Sequence, residues 1–339
     1  MIFDGRSLDL VTDLDVPDPG PHDVTVRVLA SGICHSDLNV IDGTVPVPPP
    51  VVLGHEGAGV IERLGAEVEG WSVGDSVAVI GLSACGRCRA CLSGHPTACV
   101  DAYRPRTPGL ARRGAPVRSY ANVASFAERI TLPATQLVDA AGIPPAAACL
   151  IGCALTTGFG VVNNVARVAP GERVAVIGMG GIGAVAVQAA RLAGAEVTAI
   201  DVRADRADIA KTFGAAAFCG PADVTETFDT VIECSGAASA IDAAIDLTAE
   251  GGVTALVGLP PAGYRASFDV GRLMRGRRIL GSLNGDIEPS RDLPAIVEHV
   301  RCGRLSAEAL VTRTWPLEQI EDAIAAARSG AVIRAVLTF

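Results

Sequence analysis

The sequence predicts an α/β protein in which a doubly wound parallel sheet interrupts a β-rich region. Two observations carry this expectation. From about residue 171 onward, continuous apolar runs alternate with helical stretches, the pattern of a parallel sheet covered on both faces. Before about residue 150 the runs are short and are separated by Gly, Pro and Asp turns. A chain of 339 residues is long enough for two cores, and 38 glycines with only 4% aromatics suit many tight strand-to-helix turns.

The β-rich part opens with the alternating run Val24–Leu29, then Val51–Leu53, Val60–Leu64 and Ser76–Ile80, the last set up by a Gly74-Asp75 turn. The texture changes near Gly171. Arg173–Ile177 reads as a buried strand, and a glycine turn then leads into a helix over Gly181–Ala195. A second strand, Glu196–Ile200, precedes a polar helix from Arg206 to Phe213. Phe228–Cys234 and Gly252–Val257 read as further strands, with a helix over Ala237–Leu247 between them. The tail is mixed: helices over Asp292–Cys302 and Leu317–Arg328, then a strand over Val332–Leu337.

A net charge of −9 and a pI near 5.1 argue against nucleic acid or an anionic membrane as partner. The most apolar stretch, Ala146–Val162, follows Pro144-Pro145, is broken by Gly152, Gly158 and Gly160, and carries Thr156 and Thr157. It is expected to be a buried helix rather than a membrane span. Met1-Ile-Phe-Asp-Gly-Arg6 leads straight into polar, turn-rich chain, unlike an export signal. With ten cysteines, this points to metal binding plus buried thiols in a reducing cytoplasm.

Four of those cysteines, Cys85, Cys88, Cys91 and Cys99, fall within fifteen residues in the spacing C-x2-C-x2-C-x7-C. One short lobe with this spacing wraps four thiolates around a single ion. Zinc favours such tetrahedral sulfur ligation in closed structural sites, which leave no position for substrate. A disulfide framework is the weaker alternative, because nothing else suggests secretion.

Gly178-Met-Gly180-Gly181-Ile182-Gly183 fits the dinucleotide fingerprint G-x-G-x-x-G. The pattern alone is weak in a glycine-rich chain, but here a buried strand precedes it and a helix follows. Asp201 ends the next strand, close to the ~20-residue spacing expected of the acid that holds the adenosine ribose. Glycine admits the pyrophosphate and the helix N-terminus offers unpaired N–H groups to its charge. Asp201 would repel a 2′-phosphate, which favours NAD over NADP, although Arg203 and Arg206 stand nearby. A Rossmann-like domain without a nucleotide is the plain alternative.

Three further residues suit an open zinc site: Cys34 in Gly32-Ile-Cys34-His35-Ser36-Asp37, His55 in Gly54-His55-Glu56-Gly57, and Cys153 in Ile151-Gly152-Cys153. Two thiolates and an imidazole are the ligand set of a catalytic zinc that keeps its fourth position for substrate.

Taken together, these motifs resemble the zinc-dependent medium-chain alcohol dehydrogenases over nearly the whole chain. Within that family, the segment between Cys99 and Ala127, with Gly114-Ala-Pro116 and Ser125-Phe126-Ala127, is most similar to the dimeric and thiol-dependent formaldehyde dehydrogenase branch. The resemblance implies a GroES-like catalytic domain of residues 1–154 and 284–339 around a Rossmann domain of residues 155–283. It implies a catalytic zinc on Cys34, His55 and Cys153 and a structural zinc on the four-cysteine lobe. Glu56 would be a carboxylate that approaches the metal transiently. Asp37 would orient His55, Ser36 would take the alcohol's proton, and His35 and Arg334 would flank the pyrophosphate.

Three departures from the family pattern stand out. Asn39 occupies a position where relatives often end the proton relay in histidine, and His35 one where many have arginine. Gly81 falls where a bulky aromatic often narrows the pocket, suggesting room for a large substrate lined by Val45, Tyr120, Leu259 and Leu283. The expected protein is therefore an NAD-dependent zinc alcohol dehydrogenase acting on a small-molecule alcohol. A thiol-adduct formaldehyde dehydrogenase or a nicotinoprotein is an alternative within the same chemistry. From other classes come a non-catalytic dinucleotide-binding redox sensor and a non-redox zinc enzyme such as a lyase. By resemblance it forms a homodimer, or a tetramer, with the strand near Arg278–Leu283 pairing across a two-fold axis.

Overall fold

The computed structural model describes residues 1–102, 104 and 108–339, so part of the Cys99–Ala127 segment lies outside the described residues. The chain divides into two compact units. The first comprises Met1–Cys153, Leu293–Arg301 and Ala307–Phe339, and the second Ala154–Asp292 and Cys302–Ser306.

The second unit is built on a parallel sheet of six strands. Their order is Ala217–Cys219, Glu196–Ile200, Arg173–Ile177, Phe228–Glu233, Thr248–Leu256 and Arg278–Gly281. Numbered within the sheet this is 3-2-1-4-5-6, the doubly wound order, with its switch point between the first and fourth strands. Val174, Val176, Ala199 and Val231 are wholly buried, as a sheet covered on both faces requires. The glycine turn after Ile177 and the chain after Glu233 thus emerge side by side at the carboxyl ends of the strands.

The first unit holds a seven-stranded sheet. Its main path runs Leu137–Asp139, Ser76–Val79, Glu56–Leu64, Asp23–Ile33, Arg334–Thr338 and Val311–Pro316, and Arg129–Pro133 pairs with Asp23–Ile33 off that path. A four-stranded sheet (Arg118–Ser119, Val51–Val52, Ile2–Phe3, Leu8–Asp9) and a three-stranded one complete it. Phe126, Leu53 and Val51 lie in the main core of this unit, and Val24, Ile61 and Leu132 in a second one.

Three differences from the sequence reading have physical causes. The apolar stretch is not one helix. Pro145–Ala148 continues as a 3-10 turn over Cys149–Gly152, and a second helix begins at Ala154, bent by 51° from the first segment. Cys153 sits at the break with non-helical φ −141° and ψ −67°. No single helix among the described residues is long and apolar enough to cross a membrane; this bent pair has the length and composition, and most of it is buried.

Residues 284–292, assigned above to the catalytic part, pack within the second unit. Asn164 Nδ2 donates to Asp292 Oδ2 at 2.8 Å, and the Glu288 N–H donates to the same carboxylate at 2.8 Å. Residues 302–306 return to that unit through the Ser306 N–H, which donates to Gln188 Oε1 at 2.7 Å.

The strand Val311–Pro316 was not anticipated. Its Thr-Arg-Thr centre is exposed, and its parallel pairing with Arg334–Thr338 leaves no local pattern in the sequence.

Candidate active site

Strand register assembles one cluster in the first unit. Asp23–Ile33 runs antiparallel to Glu56–Leu64 with Gly32 opposite Glu56, and antiparallel to Arg334–Thr338 with Ile33 opposite Ala335. Cys34 follows the first strand, His55 precedes the second and Arg334 opens the third, so residues far apart in the chain meet at one edge. Cys153 arrives from the other side on the 3-10 turn. There Gly152 lies so close to the Val79 backbone that an added Cβ would stand 2.0 Å from its carbonyl oxygen. Ligand atoms of Cys34, His55, Glu56 and Cys153 all lie within 4.8 Å of one another, and all four residues are buried.

Asp37 organises this cluster. It is the third residue of the helix His35–Ile41 and wholly buried. Its carboxylate accepts the Cys34 N–H at 3.0 Å and the Gly54 N–H at 3.0 Å, and lies 3.4 Å from His55 Nδ1. Contact at Nδ1 leaves Nε2 of the same ring as the ligating nitrogen. Burial works against a charged His55, but the Asp37 carboxylate and Cys34 together outweigh it and lift the imidazole well above its usual range. Cys34 and Cys153 share a hydrogen bond, which draws the Cys34 thiol far down and pushes Cys153 far up.

Glu56 is fully buried, and burial raises its carboxyl to about 7 against the pull of Arg334. Arg334 Nη1 lies 3.3 Å from Glu56 Oε1 and donates to the Ile33 carbonyl at 3.5 Å, while its buried Nε has no hydrogen-bond partner among the described residues. Ser36 Oγ is 3.7 Å from Cys34 Sγ, and His35 is exposed at the start of its helix. Tyr120, which the sequence reading named only as pocket lining, packs its ring edge-on against His55 with centroids 5.5 Å apart and donates its hydroxyl to the Ser36 carbonyl at 3.4 Å. No local signal marks this contact, because Tyr120 lies 65 residues beyond His55 (120 − 55).

Cys85, Cys88, Cys91 and Cys99 form the second cluster, again with sulfur atoms within 4.8 Å of one another. Backbone N–H groups of Cys85 and Asp101 point at Cys99 Sγ at 3.3 and 3.4 Å, and that of Cys88 at Cys85 Sγ at 3.4 Å. Such donors stabilise thiolates. Backbone N–H groups bring Cys88 down to about 6, whereas desolvation pushes Cys91 up to about 12. None of the ten cysteines is in a disulfide. Both donor sets suit zinc: four sulfurs for a closed site, and two sulfurs with an imidazole for an open one.

In the second unit, Gly178 has φ +92°, a left-handed conformation that favours glycine, and an added Cβ there would meet the Ser235 backbone nitrogen at 3.0 Å. Gly181, Ile182 and Gly183 form the first turn of the helix Gly181–Leu192, and a Cβ on Gly183 would collide with the Gly178 carbonyl at 1.9 Å. Beside Gly180, the N-cap, a Cβ would meet nothing within 4 Å, so the helix N-terminus is open to a phosphate group. Asp201 Oδ2 accepts the Met179 N–H at 2.7 Å and Oδ1 the Arg203 N–H at 2.9 Å, tying the carboxylate to the glycine turn. Arg203 pairs with Asp205 at 2.5 Å, and Arg206 is buried.

The space expected beside Gly81 is filled. An added Cβ would meet the Ala121 carbonyl at 3.1 Å and the Ala121 Cβ at 3.4 Å, because segment 120–124 folds over this position with left-handed backbone at Ala121, Asn122 and Ala124. Of the other lining residues named above, Val45 and Tyr120 are half-buried in the first unit. Leu259 and Leu283, in the second, are 55% and 56% exposed.

Two cysteine sulfurs and an imidazole in one cluster, a four-cysteine lobe and a doubly wound sheet with a glycine turn define a zinc-binding oxidoreductase of two units. Residues 20–144 match the alcohol dehydrogenase GroES-like domain family, and residues 181–301 the zinc-binding dehydrogenase family. The chain is 33% identical to an S-(hydroxymethyl)glutathione dehydrogenase of Escherichia coli over 362 aligned residues, covering 99% of this chain and 97% of that one. Among solved structures it resembles an alcohol dehydrogenase zinc-binding domain protein from Burkholderia ambifaria, at 32% identity and TM-score 0.89. It also resembles benzyl alcohol dehydrogenase from Acinetobacter calcoaceticus, at 29% identity and TM-score 0.88; each alignment covers 96% of this chain and 94% of the other. The chain belongs to the zinc-dependent medium-chain alcohol dehydrogenase family.

Proposed function

We propose that this dehydrogenase interconverts an alcohol and its aldehyde or ketone with NAD as the hydride carrier, holding its catalytic zinc on Cys34, His55 and Cys153. The observation that carries this is the convergence of those three donors within 4.8 Å in a chain of this family. Zinc, when bound, supplies a Lewis acid that lowers the alcohol's pKa, and NAD supplies the acceptor for its hydride. Asp37 holds His55 and the Cys34 backbone in place. Ser36 Oγ takes the alcohol's proton. Asn39 cannot act as a base, so the proton leaves Ser36 to water rather than along a histidine relay.

The choice of NAD rests on Asp201, whose carboxylate would repel a 2′-phosphate, and on Arg203 being engaged by Asp205. Gly178 to Gly183 take the pyrophosphate, with His35 and Arg334 as further phosphate contacts and Glu56 as a transient neighbour of the metal. The four-cysteine lobe carries the structural zinc. The open edge of Arg278–Gly281, with exposed Val270, Met274 and Leu283 close by in sequence, supports a homodimer formed there. Cysteines gathered into two metal-ligand clusters suit a reducing, cytoplasmic location.

The test is NADH formation by purified protein on a panel of alcohols, with NADP as the comparison and zinc content measured alongside. No nucleotide reduction with any alcohol would overturn the reading. The S-(hydroxymethyl)glutathione dehydrogenase relative supports a second reading, oxidation of a thiol–formaldehyde adduct. Activity only with formaldehyde plus a small thiol would establish it.

A further inference from the structure

A cavity of about 810 Å³ opens in the first unit between the segment around Pro46–Pro50 and residues 109–122. Its size falls within the range of small-molecule sites, roughly 300–1,000 Å³. Its walls are mostly rigid and apolar, including Pro48, Pro49, Leu110 and Pro116. Among the described residues, Arg118 is the one charged side chain that lines it. Arg112 and Arg113, close by in sequence, are both held by Asp13, whereas the Arg118 guanidinium makes no hydrogen bond or ion pair among the described residues. An uncommitted cation over an apolar wall, in a chain of net charge −9, is the recognition pattern for an amphipathic anion.

Tyr120 joins this cavity to the metal cluster. Its ring lines the cavity and also meets His55 edge-on, and its hydroxyl reaches the Ser36 carbonyl. A molecule in the cavity therefore lies one side chain away from a proposed metal ligand. We propose that the cavity holds the organic body of the substrate and that Arg118 selects alcohols bearing a carboxylate on an aromatic or other apolar frame. One guanidinium matches one carboxylate in a two-point contact; a phosphate monoester, with nearly two charges, calls for more than one cation. This inference rests on the alcohol dehydrogenase reading above.

The experiment compares para-hydroxymethylbenzoate with benzyl alcohol as substrates of the zinc-loaded enzyme. The expected ratio of kcat/KM favours the carboxylate by about tenfold or more, falls towards one in Arg118→Ala, inverts in Arg118→Glu and is only partly retained in Arg118→Lys, which keeps the charge but loses the two-point contact. The change should lie in KM. An equal ratio in the natural protein and Arg118→Ala would overturn the proposal. Calorimetric titration with para-methylbenzoate and para-methylbenzamide separates this inference from the reading beneath it. If neither alcohol is oxidised, Arg118-dependent preference for the benzoate still supports the anion site, and its absence rejects the site.

Discussion

Asp37 shows how much one buried side chain can organise. It serves the backbone of Cys34, the backbone of Gly54 and the ring of His55 from a position with no solvent exposure. Replacing it by alanine strands two N–H groups, each at a cost of about 1–3 kcal/mol. Asp37→Ala should therefore lower stability and weaken metal binding about 10–100-fold; denaturant unfolding and competition with a zinc chelator measure the two effects. Gly152 acts through sterics alone. Gly152→Ala places a methyl 2.0 Å from the Val79 carbonyl oxygen, which must move the turn that delivers Cys153. A loss of about 1–3 kcal/mol is expected from such overpacking, together with zinc content falling towards one ion per chain. Unaltered zinc content would show that the turn has more room than the structure indicates.

At the scale of elements, the glycine turn and the end of the next strand act as one piece. Asp201 accepts the Met179 N–H within the turn and the Arg203 N–H beyond its own strand, so it braces the turn that is proposed above to take the nucleotide. Asp201→Asn keeps the size of the side chain but removes its charge. The expected outcome is weaker NADH binding and a discrimination between NAD and NADP reduced about tenfold or more, read from the two dissociation constants by fluorescence. Segment 120–124 is a second such piece. Because its backbone covers Gly81, Gly81→Phe should destabilise the fold by displacing Ala121 rather than narrow a pocket, and a drop in Tm without a change in substrate preference checks this.

At the scale of the molecule, the C-terminal chain crosses to the second unit and back, and its returns are pinned by a few side chains. Arg301 Nη2 donates to Asp139 Oδ2 at 2.8 Å and Nε to the Ala141 carbonyl at 3.1 Å, fastening the end of the helix Pro289–Arg301 within the first unit. The Arg301 hydrogen bond, joined by the Ala141 N–H, holds the Asp139 carboxyl below its usual range. A depressed carboxyl contributes stability above its ordinary pKa and loses it as pH falls through the lower, folded value. Both side chains are partly exposed, so Asp139→Ala should cost at most about 1 kcal/mol at neutral pH, with the difference from the natural protein vanishing in acid below the carboxylate range. Urea titrations of both proteins across that range measure it.

The chemistry was legible in the linear order because its donors sit in short motifs whose spacing is itself the signal. The four-cysteine lobe, the glycine turn with Asp201, and the Cys34 and His55 motifs each announce themselves within a few residues. Long apolar runs likewise marked the parallel strands, since a strand buried on both faces must be apolar throughout. What only the tertiary structure decided lies where residues distant in the chain compete for the same space. The break at Cys153 answers to the Val79 backbone, the filling of Gly81 to Ala121, and the packing of residues 284–292 to Asn164. Tyr120 against His55 and Arg118 in its cavity belong with these. Each depends on strand register and close packing, and these are settled by the folded chain as a whole rather than by any short stretch of it.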